Sequence, residues 1–382
     1  MPFVGCARAV CVVLSLSLSG GSAWAQSSAG GVSRDVPSIE DEIERAAAGR
    51  SGNFVAAPIP FSNPALGTGL AAVGAYMYRV GSDDPEVPAS FTGIGGLYSD
   101  TETWGFGLAQ NLYLKEDSIR VGFVAGTAEL NYDFYGVGSD AGERGRAIVL
   151  NQSGDAVGAR FEYRVGGDYF VGFRLGALDI ETSTELSDVP PEFQAFELTQ
   201  DGRIEDLGLL LQRDTRDQVY TPADGSLLEL DIGLRRLKTR STTEYRKMRF
   251  AYTRYLPRND SVLAYRVYAC YAGNGSPFYD LCAFGARSDL RGYTAGRYLD
   301  RAELVTQMEY RRPLRGRWGF VAFAGIGTVA PSFSDMSADD LLPGAGVGLR
   351  YLISRSQKIN LRVDVARGND ETTLHIGLGE AF

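Results

Sequence analysis

The stretch DLRGYTAGRYLDRAELVTQMEYRRPLRGRWGFVAFAGIG, residues 289–327, decides the fold class of this chain. Its first part is polar and rich in glycine, which predicts a loop. In its second part, Gln307, Glu309 and Arg311 alternate with Met308 and Tyr310. Successive side chains of a strand point to opposite faces. The alternation therefore predicts a sheet that has water on one face and an apolar medium on the other.

The same period of two recurs from residue 52 to the end of the chain. Leu361, Val363 and Val365, for example, alternate with Arg362 and Asp364. We count about sixteen such strands, an even number as in bacterial single-chain barrels. The backbone of a strand in hydrocarbon must find all its hydrogen-bond partners within the protein, so such a sheet has to close. The pattern predicts a 16-stranded antiparallel transmembrane β-barrel over residues 52–382, with charged side chains lining its lumen.

The connections between the predicted strands differ in length at the two ends of the barrel. Four long loops are expected at one end, at 131–155, 180–202, 272–301 and 330–343. Short turns are expected at the other end, at 166–168, 257–260, 314–317 and 354–358. Only the first connection, 62–67, departs from this scheme, because it falls at the end with the long loops but is itself short. Long loops outside and short periplasmic turns are typical of outer-membrane barrels.

The first 51 residues differ from the barrel. Arg8, an apolar run and an Ala-Trp-Ala site before Gln26 predict a cleaved signal peptide at residues 1–25. Residues 26–51 are predicted to be a periplasmic linker with a short amphipathic helix, for which Ser38 provides an N-cap. A disordered leader is the alternative for this linker.

The tip Leu290-Arg291-Gly292-Tyr293, with the acidic residue Glu309 on the next strand, resembles the outer-membrane protein assembly superfamily, the BamA/TamA type or bacterial surface antigens. The resemblance implies that the loop folds into the barrel as a plug and that Arg291 pairs with Glu309 on the lumen wall. The family often has an aspartate on the following strand, where this chain has Gly325. Arg291 is then expected either to be held more weakly or to share another carboxylate.

Two further segments resemble the same family. One is the turn motif D-T-R-D-x-x-x-x-P-x-x-G, predicted to stabilise a periplasmic turn through Asp214, Arg216, Asp217 and Gly225. The other is the C-terminal Phe382, which is similar to the recognition signal of outer-membrane barrels. The resemblance also implies a weak seam between the first and last strands. The basis for that seam is the glycines of the last strand, Gly377 and Gly379, and similar ones at Gly344, Gly346 and Gly348. The alternative is that these glycines make room for the loop.

Cysteine usage and composition narrow the remaining chemistry. Cys270 and Cys282 are the two cysteines left after the signal, and their spacing leaves open whether they form a disulfide at the base of the loop. The net charge of −9 argues weakly against nucleic acid as a partner. One histidine, His375, without a catalytic partner, and the lack of a nucleophile or phosphate-binding motif predict no enzymatic activity, no cofactor and no metal site.

Two functions fit these observations. The chain either inserts or transports proteins or lipids in the outer membrane, or it is a structural or passive-channel barrel without assembly activity. The resemblance implies periplasmic substrate-receiving domains before the barrel, but we expect no room for one in the linker. This expectation favours the second function. Outer-membrane lipid and lipopolysaccharide are the expected partners in both cases, with other outer-membrane proteins or a homodimer partner as further candidates.

Overall fold

The computed structural model describes residues 52–63, 66–81, 87, 89–184, 189–194, 196, 198–218, 221–285, 290–354 and 359–382. The predicted signal peptide and linker helix lie outside these residues. Sixteen long strands form one antiparallel sheet in the described part, each strand pairing with the next in chain order. The fold is therefore all-β and antiparallel, as predicted.

The strands follow the alternating segments of the sequence. They are β1 (Gly52–Asn63), β2 (Gly67–Tyr78), β3 (Ser90–Ser99), β4 (Trp104–Leu114), β5 (Ile119–Phe134), β6 (Ile148–Gly166), β7 (Tyr169–Ser183), β8 (Gln200–Asp214), β9 (Gly225–Lys238), β10 (Thr242–Arg258), β11 (Ser261–Ala272), β12 (Cys282–Ala283), β13 (Leu299–Asp300), β14 (Ala302–Pro313), β15 (Trp318–Ala330), β16 (Leu342–Ser354), β17 (Ile359–Arg367) and β18 (Thr372–Leu378). Among the described residues, one short helix, α1 (Ser139–Arg144), lies between β5 and β6, and three single 3₁₀ turns lie in the connections. The two-residue strands β12 and β13 pair only with each other, so β11 pairs directly with β14.

The two faces of the sheet have opposite chemistry. On β8, Leu207 and Leu209 are 50% and 65% exposed. Asp206, the residue before Leu207, instead forms ion pairs with Arg174 and Arg235 on the other face. We call these the outward face and the inner face. Exposed apolar residues alternating with paired charges are what a sheet between hydrocarbon and a polar interior requires. No helix in the described residues is long and apolar enough to cross a membrane.

The connections alternate between two ends, which we call the loop end and the turn end. The loop end carries 135–147, 184–199, 273–301 and 331–341, and the turn end carries two-residue turns at 167–168 and 259–260. Asn259 and Gly316 adopt positive φ values of 53° and 71°, as tight hairpin turns require. The predicted asymmetry is present for these connections.

The predicted lengths were wrong in several places. The loop expected at 180–202 is shorter because β7 continues to Ser183 and β8 begins at Gln200. The loop expected at 131–155 is shorter because β5 continues to Phe134 and β6 begins at Ile148. These two residues are buried in a cluster with Phe193 and Phe278, which stabilises the strands beyond the apolar band. The loop end also has short connections at 100–103, 239–241 and 368–371, and the turn end has a long one at 79–89.

The longest connection, residues 273–301, packs against the inner face, and we call it the inward loop. Along its length it contacts Arg235 of β9, Gly142 of α1 and Asp370 after β17. These partners are far apart in the strand order, so the sheet curves around the inward loop. The two end strands, β1 and β18, come within a Cα–Cα distance of 8 Å of each other.

Candidate functional site

The tip of the inward loop is a buried ion-pair centre. The Arg291 side chain is 0% exposed, and its two terminal nitrogens donate to Glu309 of β14 and Asp364 of β17. Its guanidinium carbon lies 3.4 Å from the ring centre of Phe323 on β15, between those strands. One planar cation therefore joins the loop to three strands of the wall. A guanidinium suits this position because its donors have fixed directions and its face can stack on an aromatic ring.

Further arginines surround the same carboxylates. Arg311 Nε donates to Glu309 over 2.7 Å, and Arg350 Nη1 donates to Asp364 over 2.5 Å. Arg350 Nε also donates to Glu380, which follows β18, over 2.7 Å. The centre therefore extends from the loop tip across β14, β16 and β17 to the end of the chain. Burying this many charges is costly unless each is paired, and the mutual pairing meets that condition.

The pairing expected from the sequence, Arg291 with Glu309, is present in the structure. Asp364 supplies the second acceptor that the glycine at 325 does not provide. Arg291 therefore shares another carboxylate, which is the second of the two alternatives expected from the sequence. A Cβ atom on Gly325 would lie 2.7 Å from the Leu290 side chain, and one on Gly344 would lie 2.7 Å from the Arg291 carbonyl oxygen. These two glycines make room for the inward loop.

The two residues after Arg291 fix the backbone of the tip. Gly292 has a φ of 118°, and a Cβ atom there would lie 2.8 Å from the Arg367 carbonyl carbon. Both facts require glycine. Tyr293 is fully buried, and its hydroxyl donates to the Pro343 carbonyl oxygen over 2.6 Å. Burial raises the pKa of Tyr293, so the hydroxyl keeps its proton and remains a donor.

A second ion-pair centre lies near the start of the inward loop, and no sequence pattern predicted it. The Asp280 carboxylate accepts hydrogen bonds from Arg235 of β9 over 2.5 Å, and from Lys247 and Tyr245 of β10 over 2.9 and 2.7 Å. Burial alone would raise the pKa of Asp280, but the charges of Arg235 and Lys247 outweigh it and hold the pKa well below its usual range. Arg235 follows the alternation of β9, which is consistent with its place on the inner face, but no local pattern marks Asp280 as its partner.

The base of the loop is closed covalently. Cys270 in β11 and Cys282 in β12 form a disulfide, with their Cα atoms 5.9 Å apart. Glu303 lies close to both sulfur atoms. Because the two sulfur atoms are bonded to each other, this group offers no pair of thiolates for a metal ion.

The far side of the inward loop contacts the loop end of the sheet. Thr294 donates to Glu371 over 2.6 Å, and Arg297 donates to Asp370 over 2.5 Å, both in the β17–β18 connection. Arg297 also donates to the Gly142 carbonyl oxygen of α1 over 3.0 Å. The inward loop is thus fixed at its base, at its tip and at its return, the segment that contains Thr294 and Arg297.

The predicted turn motif lies between β8 and β9, at the turn end. Arg216 donates twice to Asp214 over 2.8 Å, and Asp217 accepts the backbone N–H groups of Ala223 and Asp224 over 2.9 and 3.1 Å. These bonds cross-link the turn. Gly225, with a φ of 95°, begins β9.

The chain ends beside the tip centre. Arg311 Nη2 donates to the carbonyl oxygen of Phe382 over 2.6 Å, and its guanidinium carbon lies 5.6 Å from the Phe382 ring centre. His375 faces Asp364 in the β17–β18 register, so it lies on the inner face. The structure therefore brings Arg291, Glu309 and Phe382 into one neighbourhood. The turn motif reaches it through the Pro222 carbonyl oxygen, which accepts a hydrogen bond from Arg311 over 3.5 Å. The two cysteines of the disulfide belong to the same buried apolar cluster as Leu290 and Tyr293.

Comparison with known families identifies an Omp85 superfamily domain over residues 124–382, more than half of the chain. The chain belongs to the Omp85 superfamily. The resemblance to BamA/TamA-type proteins inferred from the loop tip is confirmed. A comparison with curated protein sequences gave no match.

Solved structures of Omp85-type barrels share this fold. BamA from Haemophilus ducreyi, lacking POTRA domains 1–3, matches with a TM-score of 0.59 at 15% identity, over 86% of this chain and 70% of that one. CdiB from Acinetobacter baumannii matches with a TM-score of 0.55 at 14% identity, over 86% and 60%. CdiB from Escherichia coli matches with a TM-score of 0.54 at 12% identity, over 87% and 62%. This Omp85 chain thus spans less than two thirds of either CdiB chain.

Proposed function

We propose that the sixteen strands close into a barrel in the outer membrane and that the inward loop fills its lumen as a plug. Membership of the Omp85 superfamily makes this an outer-membrane protein. Closure is supported by the proximity of β1 and β18, whose Cα atoms lie within 8 Å. The plug is supported by the loop's contacts with strands and connections from α1 to β17. The N-terminal signal peptide and periplasmic helix remain part of this proposal.

Within that barrel, we propose that the protein inserts or transports outer-membrane proteins or lipids. The observation that carries this proposal is the seam between β1 and β18. In the described part of the chain the two strands are adjacent, but no register of paired residues joins them. The other adjacent long strands are joined by such registers. A seam without a ladder is where the wall can separate at the lowest cost in hydrogen bonds.

Depletion of the protein in cells tests this function. If it inserts proteins, the abundance of other outer-membrane barrels should fall after depletion, as measured by quantitative proteomics of isolated outer membranes. A disulfide engineered between β1 and β18 should reproduce the defect without lowering the amount of this protein. An unchanged outer-membrane proteome in both experiments would contradict insertion activity.

The second candidate is a structural or passive-channel barrel. The fixation of the inward loop at its base, tip and return favours it, because a plug held in three places resists movement. In this case depletion leaves other barrels unchanged, and Glu309→Ala raises the conductance of the protein in planar bilayers. Neither function requires enzymatic activity, a cofactor or a metal ion. Lipopolysaccharide, other outer-membrane proteins and a second copy of the chain are the proposed partners.

A further inference from the structure

The outward face carries a cluster of arginines at the turn end, which we call the basic rim. Arg258 ends β10, Arg312 lies near the end of β14, and Arg315 lies in the turn after it. All three are exposed. The register pairs Arg258 with Ser261 and places Ser261 beside Arg312. Because neighbouring strands lie about 4.8 Å apart, the backbones at Arg258 and Arg312 are about 10 Å apart.

No carboxylate of the described residues forms an ion pair with Arg258, Arg312 or Arg315. Asp260 in the β10–β11 turn is the acid closest to Arg258 along the chain, and it too forms no ion pair with them. The basic rim is therefore a concentration of positive charge that the described part of the chain does not neutralise. An exposed cluster of this kind attracts anions from its surroundings.

The outward charges at the loop end are arranged differently. There Arg203 pairs with Asp179 over 2.7 Å, and Arg236 pairs with Glu244 over 2.8 Å. Lys238 likewise contacts Glu205. These three loop-end cations are each neutralised by a carboxylate, whereas the arginines of the basic rim have no such partner among the described residues. The two rims of the outward face are therefore built for different surroundings.

Aromatic and apolar side chains place the basic rim at a membrane boundary. Trp318 and Leu314 are each 50% exposed beside the arginines, and the Trp318 ring centre lies 4.9 Å from that of Tyr351. Tyr310 hydrogen-bonds Ser261 over 2.9 Å, and Met308, further along the outward face, is 52% exposed. Tryptophan and tyrosine concentrate at the level of lipid headgroups, with apolar residues deeper in the bilayer.

We propose that the basic rim binds the phosphate headgroups of anionic phospholipids in the periplasmic leaflet of the outer membrane. The guanidinium groups offer paired donors to phosphate oxygens, and Trp318 and Leu314 contact the adjacent acyl chains. The proposal rests on the proposed function in one respect, that the barrel spans the membrane with its turn end in the periplasm. It adds a lipid class and the residues that select it.

Lipid retention by the full protein tests the proposal. The detergent-solubilised protein is incubated with equal amounts of phosphatidylglycerol and phosphatidylcholine, and bound lipids are counted by native mass spectrometry. We expect a preference for phosphatidylglycerol that falls about fivefold per arginine removed and weakens as salt increases. The variant Arg258→Gln/Arg312→Gln/Arg315→Gln should lose the preference.

A matched variant at the loop end controls for total charge. Arg144→Gln/Arg146→Gln/Arg240→Gln removes three exposed arginines and should retain the preference. Equal binding of both lipids by the native protein, or equal loss in both triple variants, would overturn the proposal. So would a preference for lipid A over phosphatidylglycerol when an equal amount of lipid A is added to the mixture. Liposome insertion and heat-modifiable migration on gels are measured in parallel. An inserted barrel without lipid preference defeats only the lipid proposal, whereas a chain that does not insert defeats both.

Discussion

The inward loop is held by two ion-pair centres of opposite polarity. At the tip the loop supplies the cation, Arg291, and strands β14 and β17 supply the carboxylates. Near the base the loop supplies the carboxylate, Asp280, and strands β9 and β10 supply the cations. The tip centre is fully buried, whereas the Asp280 side chain keeps 13% of its exposure.

This difference in burial decides how much each centre contributes to the free energy of unfolding. An uncompensated charge costs more the more completely it is shielded from water, so breaking the tip centre should cost more than breaking the base centre. The opposite polarities also fix the orientation of the loop. If the loop were inserted in reverse, arginine would face arginine at one wall and carboxylate would face carboxylate at the other.

The largest expected effect is at the tip. Glu309→Ala removes the carboxylate that Arg291 and Arg311 both contact and leaves buried cations without that partner. We expect a loss of about 3–5 kcal/mol in the free energy of unfolding. We also expect a higher conductance in planar bilayers, because the loop tip is released. Denaturant titration of the folded barrel in detergent gives the first quantity, and single-channel recording gives the second.

Glu205→Ala is the matched control for that variant. Glu205 also contacts a cation, Lys238, but on the exposed outward face. Exposed pairs contribute little, so this variant should unfold and conduct like the native protein. Equal effects of the two variants would show that burial does not set the contribution of the tip centre.

The disulfide at the base should rank next. Replacing both Cys270 and Cys282 by alanine removes a short covalent loop, for which loop-closure entropy predicts a loss of about 2–3 kcal/mol. The tip centre lies beyond the disulfide and keeps its contacts, so conductance should stay low. Denaturant titration with and without a thiol reductant tests this, since the double variant should not respond to reductant. A conductance as high as that of Glu309→Ala would mean that the base, and not the tip, holds the plug.

The two ion-pair centres differ in how far the sequence predicts them. The tip was predictable because Arg291 and Glu309 belong to a recognisable pattern and because strict alternation places Glu309 on the inner face. Asp364 was placed on that face too, but its pairing with Arg291 crosses 73 residues and three strands. Asp280 lies in an irregular connection, where no period gives the direction of a side chain. Pairing over such distances depends on how the sheet curves, which the local pattern does not specify.

Strand boundaries failed for a related reason. The apolar alternation marks the part of a strand that faces lipid, but β5 and β6 continue beyond it to Phe134 and Ile148. What holds them is a cluster with Phe278 of the inward loop. This contact exists only after the loop has folded onto the sheet. Sequence patterns thus predicted the strands of the sheet well, but they predicted poorly where the strands stop at the loop end.

The base centre, formed by Asp280 with Arg235 and Lys247, should contribute less to the free energy of unfolding than the tip centre. Asp280→Ala leaves Arg235 and Lys247 without their shared carboxylate, and we expect a loss of about 2 kcal/mol, below the range for fully buried pairs because water reaches the site. Asp280→Asn keeps the shape but not the charge and should lose nearly as much. If unfolding experiments rank Asp280→Ala above Glu309→Ala, burial is not what separates the two centres.

The smallest effect is expected from acidification. It tests whether the charge of Asp280, and not its shape, stabilises the base centre. The pKa of Asp280 is held below that of an unfolded aspartate, about 3.9. Its contribution to stability is therefore complete above that value and is lost only as the pH falls through the lower, folded pKa. The Asp280 contribution to stability should stay constant between pH 7 and pH 5 and disappear below about pH 4. Asp280→Asn should lack that part of the acid response. A transition near pH 6 that this variant abolishes would mean that Arg235 and Lys247 do not stabilise the carboxylate.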